Sequence, residues 1–371
     1  MKVGIPREVK NHEYRVAITP AGVRELVSHG HEVYVEKDAG SGSEFGDDAY
    51  VAAGAATIPD PDEIWGVADL VLKVKEPVAE EYHRMREGQV LFTYLHLAAD
   101  KACTDALLEN KVTGIAYETV QLADGSLPLL APMSEVAGRI APQVGAYHLM
   151  RQGGGNGVLM GGVPGAYAAK VVVIGAGVSG QNAAAIAAGM QASVLVLDKN
   201  IARLRQLDAI YAGRVQTVAS NAYEVERAVL DADLVIGAVL VPGAKAPKVI
   251  SNALVKRMKP GSVLVDISID QGGCFEDSHP TTHAEPTYRV HNSVFYCVAN
   301  MPGAVPHTST YALTNVTLPY AVELADRGWR AALTADTALA HGLNTHAGQL
   351  ASAPVAQAHG YECVSRTDVL S

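Results

Sequence analysis

The chain has 371 residues, too long for one ordinary core and suited to two domains of common size. Apolar residues make up 49% and charged residues 18%, a balance that excludes disorder and collagen-like sequence and supplies a large core. A net charge of -10, with Lys and Arg scattered singly, excludes the basic footprint of a nucleic-acid binder.

Met1-Lys2 leads directly into the strand-like Val3 to Ile5, so no secretory signal is expected and a cytoplasmic location is. Thr19 then caps a helix opened by Pro20, which stops near Gly30. Strands are predicted at 32–35, 70–74 and 90–95, a helix over 101–109 and a strand at 114–117. Short apolar strands separated by helices predict a mostly parallel sheet covered on both faces.

A long helix is predicted from an N-cap at Ser134 to about Met150, ended by the glycines of 153–157. The most apolar stretch, 158–178, is broken by glycines, Pro164 and Lys170, so no membrane span is expected. The pattern then restarts, with strands at 171–174, 194–198, 215–218, 234–241 and 263–267. The intervening helices fall at 181–190, 201–211, 223–230 and 252–258. Val294 to Val298 reads as the last strand. After Pro306 the sequence reads as helical to its end, with a long helix over 313–330 that Pro319 either kinks or begins.

The expected architecture is therefore α/β, with two Rossmann-like, doubly wound, mostly parallel sheets. A nucleotide domain (129–306) is inserted into a discontinuous catalytic domain (1–128 and 307–371). Four cysteines, Cys103, Cys274, Cys297 and Cys363, show no CxxC or zinc spacing and read as reduced thiols, with Cys274 as buried filler.

The sharpest local signal is Gly175-Ala176-Gly177-Val178-Ser179-Gly180, directly after one strand and before a helix. The first glycine permits the tight turn, the second lets backbone approach a pyrophosphate, and the third lets helix pack on strand. Phosphates then sit at the helix N-terminus. Asp198 ends the next strand, where a carboxylate accepts from ribose hydroxyls and repels a 2′-phosphate. This favours NAD over NADP, although Lys199, Arg203 and Arg205 lie close by.

Ligands of parallel sheets bind at strand carboxyl ends. In the second domain these ends include Ser220, Val239-Leu240, Ile267 to Asp270 and Asn300-Met301. In the first, Lys75 and His96 follow apolar strands and Arg15 follows a polar loop. Together, Arg15 and Lys75 suit a carboxylate, one as a fork and one as a point charge. Imidazole suits proton exchange with an amine or carbonyl. Each also has a bland reading: Arg15 as a surface charge, Lys75 paired with Glu76, His96 as a satisfied strand-end histidine, and Asp270 as a solvated loop acid.

The stretches Met1–Pro6, Arg15–Pro20, Leu72–Pro77, Thr93–Ala98, Pro132–Gly138 and Asp266–Gly273 resemble those of the alanine dehydrogenase/transhydrogenase alpha-subunit family. The resemblance to alanine dehydrogenases runs over essentially the whole chain. It implies reversible, NAD-dependent oxidative deamination of L-alanine to pyruvate and ammonium by a homohexamer. It assigns Arg15 and Lys75 to the substrate carboxylate, and His96 and Asp270 to acid/base work. Ser134, Gly175, Gly177, Val178, Gly180, Asp198, Arg203, Ser220, Val239, Leu240, Ile267, Asp270, Asn300 and Met301 become cofactor contacts. Some members carry a histidine associated with a divalent ion where this chain has Arg327, which cannot ligate one; no metal is expected. The rival reading is the NAD(H)-binding subunit of a proton-translocating transhydrogenase, which such chains resemble less at Asp270-Gln271-Gly272-Gly273.

Overall fold

Short apolar runs alternating with capped helices build two α/β units, and the computed structural model describes residues 1–239 and 246–371 of them. One unit comprises Met1–Met133 and Gly303–Ser371; the other holds the described residues from 134 to 302. The chain opens with β1 (Lys2–Ile5), β2 (Glu32–Glu36), β3 (Ala56–Ile58), β4 (Leu70–Leu72), β5 (Val90–Thr93) and β6 (Thr113–Ala116). The second unit contributes β7 (Lys170–Ile174), β8 (Ser193–Asp198), β9 (Val215–Ala219) and β10 (Leu234–Gly237). It continues with β11 (Val263–Asp266), β12 (Thr287–Val290) and β13 (Ser293–Tyr296). The returning chain adds β14 (Leu343–His346) and β15 (Gln349–Leu350) to the first unit.

The first sheet runs β15-β14-β6-β5-β4-β1-β2-β3 and the second β12-β13-β11-β10-β7-β8-β9. β1 to β6 pair in parallel, as do β7 to β11 with β13; β14 joins β6 antiparallel and carries β15 at the edge, and β12 joins β13 antiparallel at the edge of the other sheet. Both sheets are thus mostly parallel, and all the parallel strands of a unit present their carboxyl ends on one side. Val71, Leu91, Trp65 and Leu107 are buried in the first core, and Val172, Leu197, Val235, Leu264 and Phe295 in the second. Each such burial contributes about 1.5–3 kcal/mol.

Several elements depart from the sequence expectation. The helix expected from Ser134 spans Ala131–Leu149, so Ser134 lies in its first turn and is not the cap. Val294–Val298 is not the last strand, and the end of the chain is not all helix, because β14 pairs antiparallel with β6. β4 stops at Leu72 because the Val74 N–H donates to Glu8 Oε1 (2.6 Å) instead of to a strand. β5 stops at Thr93 because the Leu95 and His96 N–H groups donate to Glu118. The long helix begins at Pro306, where the missing N–H costs nothing, and runs through Pro319 to Arg327. Its buried face, including Leu313, Thr317, Ala321 and Leu324, holds it across that proline. Among the described residues no helix is long and apolar enough to cross a membrane.

Candidate active site

In the first unit, Arg15, Lys75 and His96 follow β1, β4 and β5, three neighbouring parallel strands. Arg15 is not a surface charge but is buried in a two-pronged pair with Glu13, Nε to Oε1 at 2.7 Å and Nη2 to Oε2 at 2.5 Å. Its Nη1 lies 3.0 Å from Met133 Sδ. Burial alone would raise the Glu13 carboxyl, but Arg15, its hydrogen bonds and the charge of Lys75 outweigh it and hold it at about 2. Glu13 therefore stays ionised and fixes the guanidinium plane. Lys75 is buried as well. Its neighbour Glu76 forms an ion pair with Lys10. Burial works to raise Glu76, yet Lys75, Lys10 and His96 together hold it below its usual range. Arg15 and Lys75 thus share Glu13 as a neighbour, and Lys75 and His96 share Glu76.

His96 adopts left-handed backbone (φ 49°), a region that few non-glycine residues enter. Two contacts hold it there. The His96 N–H donates to Glu118 Oε1 at 2.6 Å, and the ring stacks on Tyr94 with an interplanar angle of 8°. Tyr94 is itself tied by its hydroxyl to the Leu129 carbonyl (2.5 Å). The His96 side chain keeps 18% of its surface exposed, enough for a small molecule to reach it. Sequence reasoning missed Glu13 and Glu118 as supporting groups. An acid two residues before Arg15 was a signal for the first; an acid directly after an apolar strand was a weak one for the second.

In the second unit the glycine turn links β7 to the helix Val178–Gly189. Gly175 has φ +107°, and a Cβ there would lie 2.3 Å from the Ala238 carbonyl oxygen. A Cβ on Gly180 would stand 1.8 Å from the Gly175 oxygen, so helix and turn touch as backbone. Gly177 differs: the nearest atom to a Cβ there is Arg203 Nη1 at 3.9 Å. Open space over the second glycine, at a helix start with no side-chain cap, fits a pyrophosphate. Asp198 accepts from the Ala176 N–H (2.5 Å) and the Asn200 N–H (2.6 Å), so its carboxylate is fixed against the turn. Arg203 Nη1 stands 4.0 Å from it.

The other expected cofactor positions lie past the same strand ends. Ser220 follows β9 and donates its N–H to the Asp198 carbonyl (2.9 Å). Val239 follows β10, and its carbonyl accepts from Ser268 Oγ at 2.7 Å. Leu240 lies outside the described residues. Ile267 and Asp270 occupy a 3-10 turn after β11, and both are half-buried. Asn300 (φ 71°) and Met301 are buried beyond β13. Ser134 and Val178 lie in the first turns of their helices, Val178 exposed. Burial pushes the Cys274 thiol well above its ordinary value, the reverse of what a nucleophile needs.

A glycine cradle in one parallel α/β unit and a group of cations with a histidine in another fit the class of two-unit, dinucleotide-linked dehydrogenases. Comparison with known proteins narrows that class. The family description "Alanine dehydrogenase/PNT, N-terminal domain" matches residues 4–137 and its C-terminal counterpart residues 141–353. The chain belongs to the alanine dehydrogenase/PNT family. It is 65% identical to the alanine dehydrogenase of Mycobacterium tuberculosis over 371 residues, covering 100% of both chains. A solved L-alanine dehydrogenase superposes with a TM-score of 0.91 at 51% identity, covering 97% of this chain and 99% of that one. A transhydrogenase from Sinorhizobium meliloti superposes with a TM-score of 0.78 at 25% identity, covering 95% and 99%.

Proposed function

We infer that the chain is an L-alanine dehydrogenase that uses NAD. The balanced reaction takes L-alanine, NAD+ and water to pyruvate, ammonium, NADH and a proton, and it is reversible. One observation carries this reading: a chain that matches alanine dehydrogenases end to end carries Arg15, Lys75 and His96 in the segments that follow three adjacent strands. The unit holding them is the substrate unit, and the unit holding Gly175 to Gly180 is the cofactor unit.

Arg15 and Lys75 bind the alanine carboxylate, with Arg15 held in plane by Glu13. When bound, the nicotinamide supplies the acceptor for the hydride leaving the alanine Cα. His96, at its ring nitrogens, and Asp270, at its carboxylate, move the protons of the amine and of the water that attacks the iminium carbon. The fixed carboxylate of Asp198 accepts from the ribose hydroxyls and disfavours a 2′-phosphate. A homohexamer and a cytoplasmic location belong to the same proposal and rest on the family resemblance; sedimentation velocity checks the first.

The purified protein, given L-alanine and NAD, should form pyruvate, ammonium and NADH in equal amounts. Hydride exchange between nucleotides without alanine turnover would favour the transhydrogenase reading instead. Asp198→Ala should raise the KM for NAD by about tenfold or more, the size of a lost hydrogen bond to a charged group, and relax discrimination against NADP. An unchanged ratio of kcat/KM for the two nucleotides would remove Asp198 from the ribose site.

A further inference from the structure

The turn that carries Asp270 is gripped from two sides by side chains with no part in the chemistry above. β11 ends in Asp266, which is fully buried. Its Oδ1 accepts the Ser268 N–H at 3.0 Å; its Oδ2 accepts the Cys274 N–H at 2.8 Å and the Phe275 N–H at 3.3 Å. The Ser278 hydroxyl adds a fourth bond at 2.5 Å and the Cys274 thiol a fifth contact at 3.4 Å. The three backbone N–H groups can only donate, so Asp266 serves as their acceptor, while burial works to raise its carboxyl. One carboxylate thereby binds the chain both before and after Asp270.

Lys248 answers it with the opposite charge. Its Nζ donates to the carbonyls of Gly272 (2.7 Å), Gly273 (2.9 Å) and Phe275 (2.8 Å). These charged bonds add to backbone ones in the same segment: the Gly272 and Gly273 N–H groups donate to the Ile269 and Ser268 carbonyls, and the Ala246 and Val249 N–H groups donate to the Gln271 and Cys274 carbonyls. Gly272 and Gly273 have φ values of +86° and +73°. A Cβ on Gly273 would fall 2.6 Å from Ser278 Cβ and 2.9 Å from Asp266 Oδ2, so the grip closes only on glycine. Two such residues beside Asp270 would leave it free to wander unless something outside the turn held them.

We propose that Asp266 and Lys248 are positioning residues that hold the Asp270 turn in its reactive geometry. This rests on the acid/base role given to Asp270 above. Burying a lone carboxylate is costly, and an apolar residue would fill the same volume without that cost. Three of its donors are backbone N–H groups on either side of Asp270, so the fixed position of that turn is what the charge secures.

The full-length enzyme tests this with Lys248→Met, which keeps the stem and removes three bonds. The kcat for alanine oxidation should fall about ten- to a hundredfold, the scale of a small misplacement of a reacting group. The KM for alanine, set by Arg15 and Lys75, should stay within about twofold. Amide exchange should quicken within residues 268–275, and Lys248→Arg should recover part of kcat. Asp266→Asn should act in the same direction. Asp270→Asn runs in parallel. If it abolishes turnover while Lys248→Met stays close to wild type, the positioning role is wrong and the Asp270 role stands. If Asp270→Asn turns over normally, the Asp270 role falls and the positioning role with it.

Discussion

Replacing His96 with alanine is expected to lower alanine turnover by about 10²- to 10⁴-fold, the range lost with a positioned proton-transfer group. The ring is held by stacking on Tyr94, and its backbone by Glu118, in a left-handed conformation that the structure maintains at a cost. Alanine at φ 49° is strained, so loss of turnover in that variant alone could reflect a displaced loop. Asparagine tolerates left-handed backbone far better, yet its amide does not exchange a proton near neutrality. His96→Asn and His96→Ala should therefore lose kcat alike, with KM for alanine little changed and the far-ultraviolet dichroism of wild type. Turnover within a few-fold of wild type in His96→Asn would remove the imidazole from the chemistry.

The second large effect concerns stability. Lys73 is fully buried between two buried carboxylates, 3.1 Å from Glu8 Oε2 and 2.9 Å from Glu81 Oε1. Removing its charge by Lys73→Met leaves both acids uncompensated and should cost about 3–5 kcal/mol. The cost should fall on the first unit, because Glu8 also binds the Val74 N–H just before Lys75.

The pH dependence has a definite sign. Burial pushes the Glu8 carboxyl up to about 7, with Lys73 opposing and the nearby Glu13 and Glu81 adding to it. A pKa raised on folding gives stability that is complete below the ordinary carboxylate value and is lost as pH rises through about 7. The penalty of Lys73→Met should therefore be larger at about pH 8 than at about pH 6, where Glu8 takes up a proton. Glu13 acts oppositely: held at about 2, it gives stability that is present above the ordinary carboxylate value and lost as pH falls toward 2. Urea unfolding of wild type and Lys73→Met at the two pH values checks this. Equal stability of the two proteins at both would contradict the account of the triad.

What could be read in the sequence, and what could not, divides along the range of the interactions. Gly175 to Gly180 was legible because strand, glycine turn and helix are consecutive, although the carbonyl that excludes a side chain at Gly175 belongs to Ala238, past β10. Lys75 and His96 stood out as polar residues leaving apolar strands, and Arg15 as a charge beside a polar loop. Their supports did not, because Glu118 meets His96 across 22 residues and Glu8 meets Val74 across 66. β14 was read as helix because Asn344 and Thr345 interrupt its apolar pattern. Both are buried, Asn344 bonded to Thr119 and Thr345 to the Val112 carbonyl. The start of the helix Ala131–Leu149 was misplaced because Ser134 has a capping side chain, whereas the chain turns helical before Pro132. Lys248 gave no signal, since its partners are backbone carbonyls that carry no residue identity, and Asp266 stood out only as the start of a family-like stretch.

The most direct test of the central claim follows a hydrogen atom. L-Alanine deuterated at Cα is incubated with NAD+ and the enzyme, and the nicotinamide product is examined by NMR. The deuterium should appear at nicotinamide C4, on one face only, with one pyruvate formed for each label transferred. Reduced cofactor without the label, or pyruvate without reduced cofactor, would contradict the central claim.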